Sequence, residues 1–272
     1  MFLPKFCKCG FVSSEKEDSI LEEGLTHTAK SHRHAFTLAE VLITLGIIGV
    51  VAAMTLPTLI NNYRKQETIA KLKKVYSVLG QASLLAQAEY GETAGWELDS
   101  GKSRAKSKNF SEKYLIPYLE VVKKCEDYSS TSDCNYPIYY LKGQRYSAND
   151  FNNWTYRFYL ADGTFLIVYS LYDSNEAKHT KYASIIFDIN GEKRPNKWGI
   201  DVFKVEYILQ TKQETAKELV GKMVPPYINR NSRTTLLGTG ESGFCNKSKE
   251  GIACLAVILM DGWEIKDDYP WE

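Results

Sequence analysis

The chain has 272 residues and a formal net charge of +1. It is therefore long enough for one or two domains, and its overall charge gives no strong signal for a nucleic-acid partner. Hydrophobic residues make up 44% of the chain and there are 18 tyrosines, a composition that argues against a disordered chain and favours β-structure.

Residues 1–35 are polar and of mixed charge, and they end in the basic segment 30–35. In a secretory signal peptide the apolar core precedes the cleavage site, whereas here an apolar run follows the basic segment. We therefore expect residues 1–35 to be a leader whose removal leaves the apolar run on the protein. The alternative is an uncleaved cytoplasmic tail on a single-span protein.

Residues 36–56 form an apolar run of 21 residues with one charge, Glu40. About 20 apolar residues in a helix cross a hydrocarbon core of roughly 30 Å, so the run predicts a membrane-spanning helix. An ionisable group inside such a helix is costly, which makes Glu40 a functional candidate. Pro57 follows and removes one backbone hydrogen bond, so we expect a kink there.

The junction of basic segment and apolar run resembles the N-terminus of type IV prepilins and type II secretion pseudopilins. That family has a basic leader end, a small residue at the cut, then Phe-Thr-Leu-x-Glu and an apolar helix with a proline near its end. The matching residues are Ala35, Phe36, Thr37, Leu38, Glu40 and Pro57. Ala35 stands where the family usually has glycine, and the leader is long.

The resemblance implies how the chain is processed. A prepilin peptidase would cut between Ala35 and Phe36, and a methyltransferase activity would methylate the new amino group of Phe36. In an assembled filament, Glu40 of one subunit would meet the Phe36 amine of its neighbour and so fix their register. The alternative is that Glu40 reaches the membrane interface and has no role in assembly.

The resemblance also implies location and partners. The protein would be a single-pass protein of the bacterial inner membrane, with an extracytoplasmic C-terminal domain and a filament in the periplasm or at the cell surface. Its partners would be other subunits, membrane lipid and an inner-membrane assembly platform. The positive-inside rule favours the opposite orientation, because more cations follow the span than precede it. The cysteines described below and the resemblance together outweigh that count.

Residues 58–90 continue the helical pattern with an apolar stripe on one side. We expect the stripe to pack on a sheet and the helix to end at Gly91. Residues 91–108 then form a basic linker, expected to be solvated, with contact to DNA or an anionic surface as the alternative. The stripe residues are Leu72, Val75, Tyr76, Leu79, Ala82, Leu85 and Ala86.

Asn109 and Glu112 resemble a capping box, which predicts a short helix after them. The inward residues of that segment would be Tyr114, Leu115, Tyr118 and Leu119. Strands are predicted at residues 154–160, 164–171, 182–189 and 203–209, with a hairpin turn at 161–163.

The last part of the chain predicts short, packed segments. Residues 211–220 suggest a surface helix, and residues 239–248 a loop. Residues 252–260 are apolar but too few to cross a membrane, so they predict a buried helix or strand. The aromatic tail, residues 261–271, is expected to pack onto the domain.

The cysteines fall into pairs by position. Cys7 and Cys9 lie in the leader, whereas Cys125 and Cys134 are nine apart, as are Cys245 and Cys254. An even count beyond a membrane segment predicts two local disulfides in an oxidising compartment, Cys125–Cys134 and Cys245–Cys254. Free thiols and crossed pairing are the alternatives.

A further segment is similar to a strand and turn common in pseudopilin-like proteins. Its matching positions are Phe187, Asp188, Ile189, Asn190, Gly191, Pro195, Asn196, Gly199, Asp201 and Phe203. Asp188, Asn190 and Asp201 carry the oxygens that Ca²⁺ prefers, so they are candidate ligands of a structural calcium ion. The alternative is a turn held by Asp and Asn side chains.

No catalytic motif is recognised, and we expect a structural protein rather than an enzyme. Of the four histidines, His179 alone would outlast removal of the leader. No cofactor is expected apart from the calcium ion considered above. The rival interpretation is a membrane-anchored extracytoplasmic binding module that does not polymerise.

The expected fold is α+β and pilin-like. One long N-terminal helix spans the membrane with its first half and packs its second half on an antiparallel sheet of about four strands. The expected organisation is a leader at 1–35, an assembly half of the helix at 36–57, an amphipathic half at 58–90 and a globular domain at 91–272.

Overall fold

The structure, a computed structural model, describes residues 37–98, 103–129, 132–146, 153–173, 180–229 and 231–271. The chain divides into two compact units, Met1–Ala53 and Met54–Glu272. The leader predicted at residues 1–35 lies outside the described residues, as does Phe36.

The described part of the first unit is the start of helix α1, Leu38–Tyr90. Its side chains are exposed up to Val51, and Ala52 is half-buried. A helix that is apolar on all sides is suited to lipid or to a bundle of apolar helices. Among the described residues, α1 is the one helix long and apolar enough to cross a membrane.

In the second unit α1 continues past Pro57 and buries one side. Its buried residues are Leu72, Val75, Leu79, Ala82, Ser83 and Ala86. The predicted stripe is confirmed with two differences: Tyr76 is half-buried, and Leu85 is 53% exposed. Ser83 takes a buried place because its hydroxyl donates to the carbonyl oxygen of Gly80 at 2.8 Å, which satisfies the polar group inside the core.

Gly91 ends α1 as predicted. Its φ is +76°, a left-handed conformation that glycine adopts without strain. Its N–H donates to the carbonyl oxygen of Gln87 at 2.9 Å, which closes the last turn of the helix.

Helix α2, Arg104–Tyr114, begins earlier than the sequence predicts. Ser103 is its N-cap, and the Ser103 hydroxyl accepts the N–H of Lys106 at 3.2 Å. The predicted capping box at Asn109 and Glu112 is therefore wrong, since both residues lie inside α2. The predicted linker is shortened accordingly.

Small polar residues explain why this helix is hard to find in the sequence. Its buried side includes Ser107 and Ser111, which leave no hydrophobic period to detect. Both hydroxyls are satisfied, Ser107 by donating to the carbonyl oxygen of Trp154 at 2.5 Å and Ser111 by donating to that of Ser107 at 2.7 Å. Of the four residues predicted to point inward, Tyr114 at the end of α2 and Leu115 and Leu119 beyond it are buried, whereas Tyr118 is half-buried.

Within the described residues, six strands form one antiparallel sheet in chain order. They are β1 Val121–Lys124, β2 Tyr156–Leu160, β3 Phe165–Asp173, β4 Thr180–Asp188, β5 Val202–Gln210 and β6 Met223–Val224. The four predicted strands correspond to β2 to β5, so the α+β class is confirmed and the strand number is corrected from about four to six. The edge strands β1 and β6 have four and two residues, too few for an alternating pattern.

Each face of the sheet has its own core, because side chains alternate along each strand. Leu166, Ile185 and Tyr207 belong to the core that includes the buried side of α1. Ile167 and Ile186 belong to a second core on the other face. The second core also includes Cys125, Cys134, Tyr146 and Trp198.

The C-terminal segments pack much as predicted. A 3₁₀ helix, Glu214–Leu219, lies within the predicted surface helix, and residues 252–260 contain the buried helix α4, Cys254–Met260. Between them lies a single helical turn, α3, Arg233–Leu236. Packing of the tail is confirmed by the buried side chains of Ile265, Tyr269 and Trp271.

Candidate functional site

Glu40 lies in the first turn of α1 and bonds to Thr37. Its Oε2 accepts the Thr37 N–H at 2.8 Å and the Thr37 hydroxyl at 2.9 Å, while the Glu40 N–H donates to that hydroxyl oxygen at 3.2 Å. This reciprocal arrangement is a capping box, in which two unsatisfied N–H groups at a helix start find partners. This capping box was not predicted from the sequence, although the spacing Thr-x-x-Glu is its usual signal.

The capping box uses one oxygen of the carboxylate. Within residues 37–98 and the other described segments, Oε1 of Glu40 has no hydrogen bond, and it is exposed on the surface of the helix. Glu40 can therefore cap its own helix and still accept a bond from another molecule. Its assembly role stays a prediction, as do cleavage after Ala35 and methylation of Phe36, both outside the described residues.

From the end of the apolar run onward, α1 presents an apolar stripe to solvent within the second unit. Leu56, Leu59, Ile60 and Tyr63 follow the i, i+3, i+4, i+7 period and are 51%, 66%, 49% and 65% exposed. Apolar patches of this kind mark contacts with proteins or membranes. Pro57 lies inside the helix, and the kink expected there stays a prediction.

The opposite side of the same stretch of α1 holds the C-terminal tail. The indole N–H of Trp271 donates to the side-chain oxygen of Asn61 at 2.8 Å. One turn further on, the Lys65 ammonium lies 3.7 Å from the Asp267 carboxylate. These contacts join residues far apart in the chain, and nothing in their local sequence indicates them.

A cluster of charges holds the tail to α3. Asp261 is buried, and its Oδ1 accepts bonds from Arg233 Nε at 2.5 Å and Lys266 Nζ at 2.8 Å. Arg233 also donates through both terminal nitrogens to the Asp268 carboxylate, at 2.7 and 2.6 Å. Two parallel bonds of this type are the strongest geometry for an arginine–carboxylate pair.

The candidate calcium ligands lie together at the ends of β4 and β5. Asp201 accepts the backbone N–H groups of Asn196 at 2.8 Å and Lys197 at 2.6 Å. Asp188 accepts the Tyr136 hydroxyl at 3.1 Å. With its amide turned to donate, Asn190 bonds the Asp188 carboxylate at 2.6 Å.

These donors support the alternative in which Asp and Asn side chains hold a turn. The N–H and O–H groups point at the carboxylate oxygens that a calcium ion would need. Among the described residues, no group of three or more His, Cys, Asp and Glu side chains is placed to hold a metal ion. These contacts favour the turn, and the calcium site stays a prediction.

Burial dominates the electrostatics of this turn. It raises the pKa of Asp188 well above the usual value, and the nearby Asp201 carboxyl adds to the rise. Burial also raises the pKa of Asp201 to about 6, against the opposing effect of the backbone donors Lys197 and Asn196. A carboxyl group whose pKa is raised by burial is costly to ionise. The hydrogen bonds that hold the turn compensate for that cost.

Both predicted disulfides are confirmed. Cys125 pairs with Cys134, and Cys245 with Cys254. The first lies beside Arg157, a buried arginine whose guanidinium donates to the carbonyl oxygen of Cys134 at 2.9 Å. Sequence reasoning missed Arg157, because an isolated arginine in a strand is usually exposed.

Two family models match the chain. Residues 58–272 match a model described as a family of unknown function, DUF6613. Residues 30–56 match a model described as the prokaryotic N-terminal methylation motif, which confirms the resemblance to type IV prepilins. No curated protein matches the chain, and no solved structure does.

Proposed function

From the premise that this chain belongs to the family of unknown function DUF6613 and carries a prokaryotic N-terminal methylation motif, we propose that it is a structural subunit of a type IV pilus or a type II secretion filament. The motif makes the chain a type IV pilin-like precursor. The observation that most supports a role as a filament subunit is the junction of this motif with α1, whose first turn holds Glu40.

Processing follows from the chemistry at this junction. A prepilin peptidase cuts after Ala35, and the amine of Phe36 becomes the N-terminus and is methylated. A methylated amine keeps its positive charge, so each mature subunit carries a cation and the Glu40 carboxylate at the same end of an apolar helix. The two charges cannot both be left unpaired in apolar surroundings without large cost.

Glu40 has the geometry to serve two partners. Oε2 caps its own helix through Thr37, and Oε1 is left to accept the Phe36 amine of a neighbouring subunit. Because an unpaired charge in an apolar helix bundle is costly, such a pair specifies the register between subunits even if its net stabilisation is small.

The exposed stripe on α1 supports assembly over a solitary anchor. Leu59 and Tyr63 are 66% and 65% exposed, and further along the same helix Leu84 and Leu85 are 65% and 53% exposed. Covering these side chains with the helices of neighbouring subunits removes apolar surface from water, at about 25 cal/mol per Å².

The membrane topology is part of the proposal. α1 is a single inner-membrane span, and the second unit is extracytoplasmic, where its two disulfides persist in an oxidising compartment. The protein has a structural role rather than an enzymatic one and requires no cofactor. It assembles with other subunits on an inner-membrane platform.

Two substitutions at Glu40 test this proposal. Glu40→Ala removes both the charge and the helix cap, whereas Glu40→Gln keeps a cap, since glutamine serves in a capping box. We expect both variants to insert, to be cut, and to enter sheared filaments poorly when produced beside wild type. The matched control is Glu67→Ala, which removes an exposed acid of α1 paired with Lys71 and should co-assemble normally.

The measurement is the ratio of variant to wild-type chain in sheared filaments, determined by mass spectrometry. If Glu40→Gln co-assembles at the wild-type ratio, the carboxylate acts as a helix cap and the charge pairing is wrong. If no filament contains the wild-type chain, the membrane-anchored binding module is the better interpretation.

A further inference from the structure

A cavity of approximately 280 Å³ lies on the sheet face opposite α1. Tyr207 shows which face this is, because its hydroxyl accepts from the Gln87 amide of α1 at 3.1 Å. Side chains alternate along a strand, so its neighbours Glu206 and Ile208 point to the other face and line the cavity. Tyr182 of β4 pairs with Ile208 in the sheet and lines the cavity beside it.

The segment after β5 forms the other wall. It runs through the 3₁₀ helix and the edge strand β6, and it supplies Thr211, Ala216, Tyr227 and Asn229 to the lining. The second core covers the sheet face around Ile186 and Val202 and does not extend over Glu206. Around Glu206, therefore, the sheet face borders the cavity and is not covered by the second core.

Tyr227 is held in this wall by an uncommon backbone conformation. Its φ is +70°, a conformation that strains a non-glycine residue and is enriched at functional sites. Its ring packs edge-on against Phe244 at 5.9 Å. Gly243 makes room for it, since a Cβ there would lie 2.5 Å from the Tyr227 hydroxyl oxygen.

The lining combines apolar side chains, such as Ile208, Leu219 and Ile228, with polar groups. The polar groups are hydroxyls, the amides of Gln213 and Asn229, and one carboxylate, Glu206. No lysine or arginine is among the described residues that line the cavity, which disfavours an anionic ligand. Glu206 is paired with Lys204 at 3.0 Å, so the site is also poorly suited to a cation.

We propose that this cavity binds a neutral saccharide of one or two sugar rings. Hydroxyl, amide and carboxylate groups bond sugar hydroxyls, and tyrosine rings pack against the C–H face of a sugar ring. The volume is near the lower end of small-molecule sites, which begin at about 300 Å³. A peptide added as a strand is less suitable, because β4 and β5 are each paired on both sides and the edge strand β6 has only two residues to pair with it.

The test uses the full-length protein in a detergent without a sugar headgroup, where binding is independent of filament assembly. Saturation-transfer NMR would be recorded with galactose, mannose, N-acetylglucosamine and lactose as probes. Two variants act on the cavity: Ala216→Trp fills it, and Asn229→Ala removes an exposed amide from its rim. Ala94→Trp adds the same ring at an exposed position outside the cavity and is the control.

We expect at least one of these sugars to receive saturation from the wild-type chain and from Ala94→Trp. Ala216→Trp should weaken its affinity by about tenfold or more, and Asn229→Ala by a smaller factor, in folded protein. The inference is overturned if no sugar receives saturation from the wild-type chain, or if neither variant alters binding. It is also overturned if the wild-type chain binds an unstructured peptide but none of the sugars, and Ala216→Trp abolishes binding of that peptide.

Discussion

Gly199 is the residue where the turn after β4, a disulfide and the C-terminal tail meet. Its φ is +79°, and a Cβ added there would lie 2.7 Å from Sγ of Cys254. Its carbonyl oxygen accepts the buried Tyr269 hydroxyl at 2.6 Å. The position therefore requires glycine for two reasons, its backbone conformation and the space available.

Comparing two glycines separates those reasons. Gly163 also has a positive φ, +86°, but nothing lies within 4 Å of a Cβ added to it. Gly163→Ala should lower the free energy of unfolding by about 1–2 kcal/mol, the cost of the left-handed conformation alone. Gly199→Ala should cost about 1–3 kcal/mol more, because the new methyl overlaps the disulfide. Denaturant unfolding of the full chain measures both, and equal losses would contradict the packing argument.

Arg233 makes the stability of the tail depend on pH. Burial alone would raise the pKa of Asp261, but hydrogen bonds from Arg233 and Lys266 outweigh it and the pKa is lowered. The Arg233 hydrogen bonds lower the pKa of Asp268 as well. A carboxylate with a lowered pKa stabilises the fold above its unfolded pKa of about 3.9, and that stabilisation is lost as pH falls through the folded value.

Replacing this arginine should therefore matter most near neutral pH. Arg233→Met should lower the free energy of unfolding by about 1–3 kcal/mol at pH 7, and the deficit should shrink below about pH 4 as the carboxyls protonate in both proteins. The control, Lys217→Met, breaks an exposed pair with Glu214 and should have little effect. A deficit for Arg233→Met that is the same at both pH values would rule out the charge interaction.

Residues whose role depends on nearby sequence could be predicted, whereas residues whose partners are distant in the chain could not. The pairing of Cys125 with Cys134, and the special position of Glu40, follow from spacing and local composition. The partners of Arg157 and Asp261 come from segments distant in the chain. Their burial depends on the finished fold, which no local pattern encodes.

At the scale of elements, the tail and α1 form one contact that can be tested separately. Trp271 bonds Asn61, while Asn62, the next residue, is exposed. Asn61→Ala should lower the free energy of unfolding by about 1 kcal/mol, because it leaves the buried indole N–H without its acceptor. Asn62→Ala should change it by less than about 0.5 kcal/mol. Protection of the Trp271 indole N–H from hydrogen exchange should fall in the first variant alone, and an equal fall in both would contradict the contact.

Helices and strands with a clear hydrophobic period could be predicted from the sequence, and those without such a period could not. α1 has an apolar run followed by a one-sided stripe, and β2 to β5 alternate over several residues, so each was predicted. α2 buries serine on its inner side, and β6 has two residues. Such segments take their structure from the surfaces they contact rather than from their own sequence.

At the scale of the whole molecule, the two faces of the sheet in the second unit carry different features. One face is occupied by α1, whose exposed stripe is available to neighbouring helices. The other face carries the second core and the cavity beside Glu206. If subunits associate through α1, the cavity stays accessible, so assembly and saccharide binding do not compete for one surface.

We propose that the chain is a processed subunit of a filament, and its mass tests this most directly. The measurement is the intact mass of the chain recovered from filaments sheared from cells with an active prepilin peptidase. We expect a chain that begins at Phe36, carries one methyl group, lacks Cys7 and Cys9, and contains both disulfides. A chain that keeps residues 1–35 and is found in membranes but not in filaments would contradict it.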